Sequence, residues 1–385
     1  MPVLFLIDGL TADGDPPFGS LCPHLDGMAA HGDTGRVRLI QKGQVPEESM
    51  AWFSLFGRAG FFPKETDPPL GYLSALGLGL NPDPSRIWAR LSFTHVYRKQ
   101  DKLIFMSPNR TGQSPGECQI LASGMKEDLA VMGWKLHLTN PDSLCILVSS
   151  DQPIQARTSM LDRLEGESLL DFIPRSSSGG KGLTNLLTNA QMLLKPHPVN
   201  LEREAEGRFP LNLAWFWGMS DGRNFPSKSP IKSARNICWT HDPVVMGLAV
   251  ASNFGIGMLP VDAHGFDYLV ENIVKQAKEG QVVVHIQSPA TLARHGMNDE
   301  RLARLKQIDQ ELIAPIANAL QSSGNRLVVA GSYHLSERGL GLGDPTSWLS
   351  TSGPSLTKTR RVWNRRQFGQ GRLIDASVFR KRWLA

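Results

Sequence analysis

Cysteine is scarce and scattered in this chain of 385 residues. Cys22, Cys118, Cys145 and Cys238 form no CxxC pair, which argues against a structural zinc site and for reduced thiols in a cytoplasmic protein. Long apolar runs are lacking too. The N-terminal Val3-Leu-Phe-Leu-Ile7 has no basic flank and meets Asp8 at once, so it reads as neither signal peptide nor membrane span. No other stretch approaches the roughly eighteen uninterrupted apolar residues that a membrane helix needs. A strong charge of one sign is also missing: the net charge of +5 is small for this length. Its excess gathers in Thr357-Lys-Thr-Arg-Arg-Val-Trp-Asn-Arg-Arg366 and Arg380-Lys-Arg382. With no basic stripe elsewhere, nucleic acid is not the expected partner. The basic tail over 357–385, with Trp363 and Trp383 interleaved, is instead a candidate docking element. Arg175-Ser-Ser-Ser-Gly-Gly-Lys-Gly182 lacks the preceding strand and the GKS/T ending of a phosphate-binding loop, so it reads as a linker.

What is present is an alternation of buried strands and amphipathic helices. Gln281-Val-Val-Val-His-Ile286 is a β-branched run closed by Ser288-Pro289, and Arg326 to Ala330 is a second such strand. Between them the spacing of Leu302, Leu305, Ile308, Leu312 and Ile316 predicts one long helix over 298–323, with His295 in the loop before it. Val3 to Ile7 is a third strand, ended by Asp8-Gly9. Sites in parallel α/β sheets gather at the carboxyl ends of the strands, so Asp8, His295 and His334 are expected to converge on a metal site. His24, His197 and His285 read as structural, the last because it lies inside a strand. Pro23 to Gly32 is a short helix and Val37 to Ile40 a strand. Val45 to Phe56 is a turn entering a helix, with Ser49 as its N-cap or, alternatively, as a nucleophile at a helix N-terminus. From Ile87 to Pro174 short alternating runs predict an inserted α+β domain. The strand Asn212 to Gly218 is expected to return the chain to the main sheet.

Several of these stretches together resemble the archaeal-type, cofactor-independent phosphoglycerate mutases of the alkaline phosphatase superfamily. His197-Pro-Val-Asn-Leu-Glu-Arg-Glu-Ala-Glu-Gly207 followed by Asn212-Leu-Ala-Trp-Phe-Trp-Gly218 has that family's order of HPxN, R, G, N and W-x-W-G. Leu6-Ile-Asp-Gly9 with Pro23-His-Leu-Asp26, Val283-Val-His-Ile286 with His295, and Gly343-Asp-Pro345 are similar to its other signatures. The likeness runs from residue 3 to about 350 and is most specific in the middle and in the C-terminal third. It implies an α/β, alkaline-phosphatase-like core, with a mostly parallel sheet flanked by helices and an inserted α+β lid domain. The expected bounds are 1–75 and 206–385 for the core and 76–205 for the insert. It also implies two metal ions that clamp phosphoryl oxygens, and a serine that carries the phosphoryl group. Substrate contacts are implied at Arg203, Asn212 and Asp344.

This chain departs from the family pattern at the reacting groups. Glu48 falls on the nucleophile position, with Ser49 one place off. The aspartate of the family's D-E-A-G-H segment falls on Ala290 or Thr291, with His295 retained. Tyr333 replaces the aspartate of the later pair, with His334 retained, and the last histidine falls on about Gly341. Asp8, Glu48 and His334 together could hold one divalent ion, manganese, magnesium or zinc; the other expectation is none. Three functions stay open: a catalytically degenerate binding or scaffold subunit with a protein partner, a one-metal phosphomutase or phosphohydrolase working through Glu48 or Ser49, and a sensor of a phosphorylated metabolite.

Overall fold

In a computed structural model the described residues are 2–12, 15, 21–40, 48–58, 68–140, 143–152, 154, 158–173, 180–223, 225, 235–260, 265–321, 323–335, 341–342, 346–351 and 373–383. The chain divides into two compact units, Met1–Lys64 with Ser227–Ala385, and Glu65–Pro226.

The first unit is built on an eight-stranded sheet. Its strands are β1 (Pro2–Ile7), β2 (Asp33–Arg38), β3 (Ile237–Trp239), β4 (Gly255–Gly257), β5 (Val282–Ile286), β6 (Arg326–Gly331), β7 (Thr346–Ser350) and β8 (Leu373–Asp375), in the spatial order β4-β3-β5-β1-β6-β7-β2-β8. Pairing is parallel from β4 through β6, antiparallel on both sides of β7, and parallel again between β2 and β8. The central strands β1 and β5 are apolar at nearly every position because both of their faces are covered. On one face Val3, Phe5, Ile7, Val282, Val284, Leu327 and Val329 pack against the helices α1 (Pro23–His31), α4 (Phe266–Gln276), α6 (Asn298–Ile308) and α7 (Ala314–Gln321). The helices α2 (Glu48–Leu55), α3 (Pro243–Ala251) and α8 (Ala376–Trp383) complete the set used below, together with α5 (Ser288–Arg294), which follows β5.

The helix expected over 298–323 forms as one continuous run to Gln321, with α6 leading into α7 through a five-residue π-helical turn, Asp309–Ile313. The buried Asp309 carboxylate in that turn accepts from the His24 and Leu25 amides at 3.0 and 2.8 Å, so it satisfies the N-terminus of α1 from a distant part of the chain. Ser49 is the second residue of α2 rather than its N-cap, since the helix already includes Glu48. The basic C-terminal stretch packs onto the core from 373 onward: β8 adds to the sheet edge, and α8 buries Phe379 and Trp383 against Trp348, with the Arg382 guanidinium over both indoles. Trp363 and residues 357–372 lie outside the described residues.

The second unit is α+β. Its four-stranded antiparallel sheet has the order Trp134–His137, Ile146–Ser150, Ile87–Thr94, Leu213–Ser220. The last of these is the strand expected to rejoin the main sheet. It pairs instead along Ile87–Thr94, so the second unit extends past 205, the expected end of the insert, to Pro226. Among the described residues no helix is long and apolar enough to cross a membrane.

Candidate functional site

Strand parity assembles the site. Successive side chains alternate between the two faces of a sheet, and β1 lies between β5 and β6 in parallel register, with Leu6 opposite both His285 and Ala330. The face that carries Leu4 and Leu6 therefore continues to Asp8. On β5 the same face carries His285, and beyond β6 it carries Ser332. Asp8 is fully buried, with His285 and Ser332 each 1% exposed. One Asp8 oxygen lies 2.9 Å from His285 Nε2, and the other accepts the Ser332 hydroxyl. His285 Nδ1 is 3.0 Å from the Thr240 hydroxyl at the end of β3, and that hydroxyl oxygen accepts the Asp242 amide at 3.0 Å. One proton arrangement satisfies all of these groups: Nε2–H donates to Asp8, and the Thr240 hydroxyl donates to Nδ1. The Trp52 indole from α2 covers the imidazole, at 4.4 Å between ring centres.

The loop after β1 turns at Gly9, with φ +72°. A Cβ there would meet the Ala290 amide nitrogen at 2.8 Å, so glycine is what lets the start of α5 reach the strand end. The Ala290 amide donates to the Asp8 carbonyl at 3.1 Å. One turn further along α5, Arg294 donates to the Tyr333 hydroxyl at 3.0 Å. Burial, with help from Asp8, pushes the Tyr333 phenol far above its usual range against the opposing pull of Arg294, so it is a neutral hydroxyl at physiological pH. Asp242 caps α3 by accepting from the Val244 and Val245 amides at 2.8 and 2.9 Å, and its other oxygen accepts Gln287 Nε2 at 2.9 Å. Behind this cluster Arg301 of α6 donates to the Gly9 carbonyl at 2.7 Å and pairs with Asp15.

The residues expected from the sequence divide into three groups. Asp8 stands at the centre of the cluster, whereas His295 is exposed at the C-terminal cap of α5. The backbones of Glu48 and Ser49 lie in the first turn of α2, and His334 lies in a short strand just past Tyr333. The side chains of these three, and Asp344 as a whole, lie outside the described residues. Arg203 and Asn212 belong to the second unit and serve its backbone. Asn212 holds Val96 by both its amide and its carbonyl, at 2.8 and 3.0 Å. Arg203 is fully buried, forks onto both Glu117 oxygens at 2.9 Å, and donates to the Phe209 and Thr111 carbonyls. Burial alone would raise the Glu117 pKa, but the Ser114 amide, Arg203 and Arg208 outweigh it and hold the carboxyl down at about 2.

His285, Thr240, Asp242 and Arg294 are the members of the cluster that the sequence reading missed. A histidine inside an all-β-branched strand was itself a signal, because a buried imidazole without a partner is costly. The described side chains around Asp8 do not fit a divalent ion. Both oxygens of the carboxylate already receive donors, the neighbouring phenol is neutral, and a guanidinium stands where a second cation would be repelled. Among the described residues no three His, Cys, Asp or Glu side chains are grouped to hold a metal. A cavity of about 520 Å³ lies elsewhere, lined by His24, His31, Asn318 and Gln321 among others, beside the residues that precede β6 and so at the opposite end of the sheet.

A family model described as 2,3-bisphosphoglycerate-independent phosphoglycerate mutase matches residues 29–200, a span that includes most of the second unit. The enzyme of that name from Methanosarcina acetivorans is 21% identical over 317 residues, 80% of this chain and 77% of the relative. A probable one from Geobacter sulfurreducens is 22% identical over 321 residues, 81% of this chain and 78% of the relative. Two solved structures share the fold at 19% identity. A protein from Pyrococcus horikoshii has a TM-score of 0.71 over 100% of this chain and 96% of its own. The cofactor-independent phosphoglycerate mutase of Thermoplasma acidophilum has a TM-score of 0.52 over 100% and 98%.

Proposed function

Because the chain belongs to the 2,3-bisphosphoglycerate-independent phosphoglycerate mutase family, we propose that it is a catalytically degenerate member, acting with a protein partner as a binding or scaffold subunit. The observation that carries this reading is the commitment of Asp8, whose two oxygens accept from His285 and Ser332 rather than facing an open coordination site. Mutase chemistry through a phosphoserine needs a nucleophile activated to an alkoxide and cations that spread the phosphoryl charge. At the nucleophile position this chain has Glu48, and beside Asp8 it has a neutral phenol and a guanidinium.

Elemental analysis of protein dialysed against excess manganese and zinc, then freed of loose ions, tests the reading. The expected result is no tightly held ion. About one ion per chain, lost in Asp8→Ala, would overturn it in favour of a one-metal phosphomutase or phosphohydrolase working through Glu48 or Ser49. Glu48→Ser alone is expected to leave the chain without mutase activity, since a hydroxyl at that position does nothing to the groups around Asp8.

A further inference from the structure

We infer that the groove between α1 and α7 binds an uncharged purine base or nucleoside. This site is independent of the Asp8 cluster, which lies at the other end of the sheet. The groove has a volume of about 520 Å³, within the roughly 300–1,000 Å³ of small-molecule sites. Helical spacing makes its walls. On α1, Gly27 and Met28 form the more buried floor, and the exposed His24 and His31, two turns apart, form one rim. On α7, Ala314 and Ala317 continue the floor, and the exposed Asn318 and Gln321 form the other rim. The two helices are held against each other, because Asp309, in the turn that enters α7, accepts the His24 and Leu25 amides. The groove is thus preformed.

Two features of the groove have no role in folding. Gly27 lies in the middle of α1, where glycine is among the least favourable residues. A Cβ there would meet nothing within 4 Å, so no close packing requires its absence. What glycine provides is open space at the centre of the groove. The Asn318 and Gln321 carboxamides have no hydrogen-bond partner among the described residues, whereas Thr351, at the groove's end, already accepts the Leu327 amide at 3.1 Å. A carboxamide sets a donor beside an acceptor, the pattern that matches the amino group and ring nitrogen of adenine. His31 donates its Nδ1–H to the Gly27 carbonyl at 2.9 Å, which leaves Nε2 as an acceptor. An imidazole face is also one on which a base can stack. Among the described lining residues there is no lysine, arginine, aspartate or glutamate, so nothing there neutralises a phosphate. The arrangement favours an uncharged heterocycle over a nucleotide.

Equilibrium dialysis of the full chain against adenosine tests the inference. One saturable equivalent per chain is expected, with adenosine 5′-monophosphate bound no more tightly and glucose not bound. Gly27→Met fills the groove and should weaken adenosine binding by about tenfold or more. Its melting temperature should stay at or above that of the wild type, since methionine is the better helix former. Asn318→Leu combined with Gln321→Leu removes the paired donors and acceptors from an exposed helix face, and a loss of about tenfold or more is again expected. Should Gly27→Met melt below the wild type, the double variant decides. A wild type that takes up no adenosine overturns the inference, and so does unchanged binding in the folded double variant. Equal uptake of glucose overturns the purine class, and tighter binding of the monophosphate overturns the uncharged one. Each of these outcomes is separate from metal binding at Asp8.

Discussion

Arg203 in the second unit and Arg294 in the first sit in polar clusters of different kinds, and the two differ in what surrounds the guanidinium. In the second unit the Arg203 side chain is 0% exposed. Its donors go to Glu117 and to the carbonyls of Thr111 and Phe209, while Glu117 also caps a helix by accepting the Ser114 amide. Every partner there is backbone or a charge of opposite sign, and the outcome is scaffolding. At the carboxyl ends of β1, β3, β5 and β6 the groups come from four strands and the helix α5. The Asp8 and Asp242 carboxylates accept from imidazole, hydroxyl and amide donors, and the half-buried Arg294 guanidinium meets the Tyr333 hydroxyl. A buried arginine at a family motif position is therefore weak evidence of a ligand site, and the convergence of several strand ends on one carboxylate is stronger evidence.

Three substitutions break or sharpen this contrast. Glu117→Ala should have the largest effect. It strands a fully buried guanidinium, a change that costs about 3–5 kcal/mol, so urea unfolding should shift far toward lower denaturant. A loss below about 1 kcal/mol would mean that Arg203 is not held as described. Asp8→Ala should cost less, about 1–3 kcal/mol, because it removes the acceptor of His285 and Ser332, and the serine hydroxyl can rotate toward another oxygen. Equal or greater loss than in Glu117→Ala would make the Asp8 cluster the principal buried anchor of the fold and reverse the comparison. Arg208→Ala should have the smallest effect, with melting curves that superimpose on the wild type. This arginine shares Glu117 with Arg203, but its side chain is 39% exposed.

Much of the fold was legible in local spacing. Val3 to Ile7, Gln281 to Ile286 and Arg326 to Ala330 announced themselves as buried strands because β-branched residues run unbroken in them, and they are the centre of the sheet. Asp8 was legible as a site residue because it ends the first of them. Its partners were not, since His285 and Thr240 lie more than two hundred residues away in the chain. Only the order of β3, β5 and β1 in the sheet sets them side by side. Asn212 to Gly218 was read as a strand correctly and assigned to the wrong sheet, because an all-apolar run fits either one and pairing along Ile87–Thr94 decides between them. Likewise Arg380-Lys-Arg382 read only as part of a basic tail and a candidate docking element. The burial of Phe379 and Trp383 between those charges depends on Trp348, which lies on a strand more than twenty residues earlier.

By itself the sequence determined where strands and helices form, that a parallel α/β sheet would hold them, and that the carboxyl end of the first strand carries an acid. Those properties follow from side-chain periodicity and backbone preference, which act over a few residues. The tertiary structure decided which acid meets which base, that Arg203 braces a loop while Arg294 faces the strand ends, and that the chain's last helix belongs to the core. Such pairings come from strand order and register, which are set by burying the whole sheet at once and leave no mark on any single stretch of sequence.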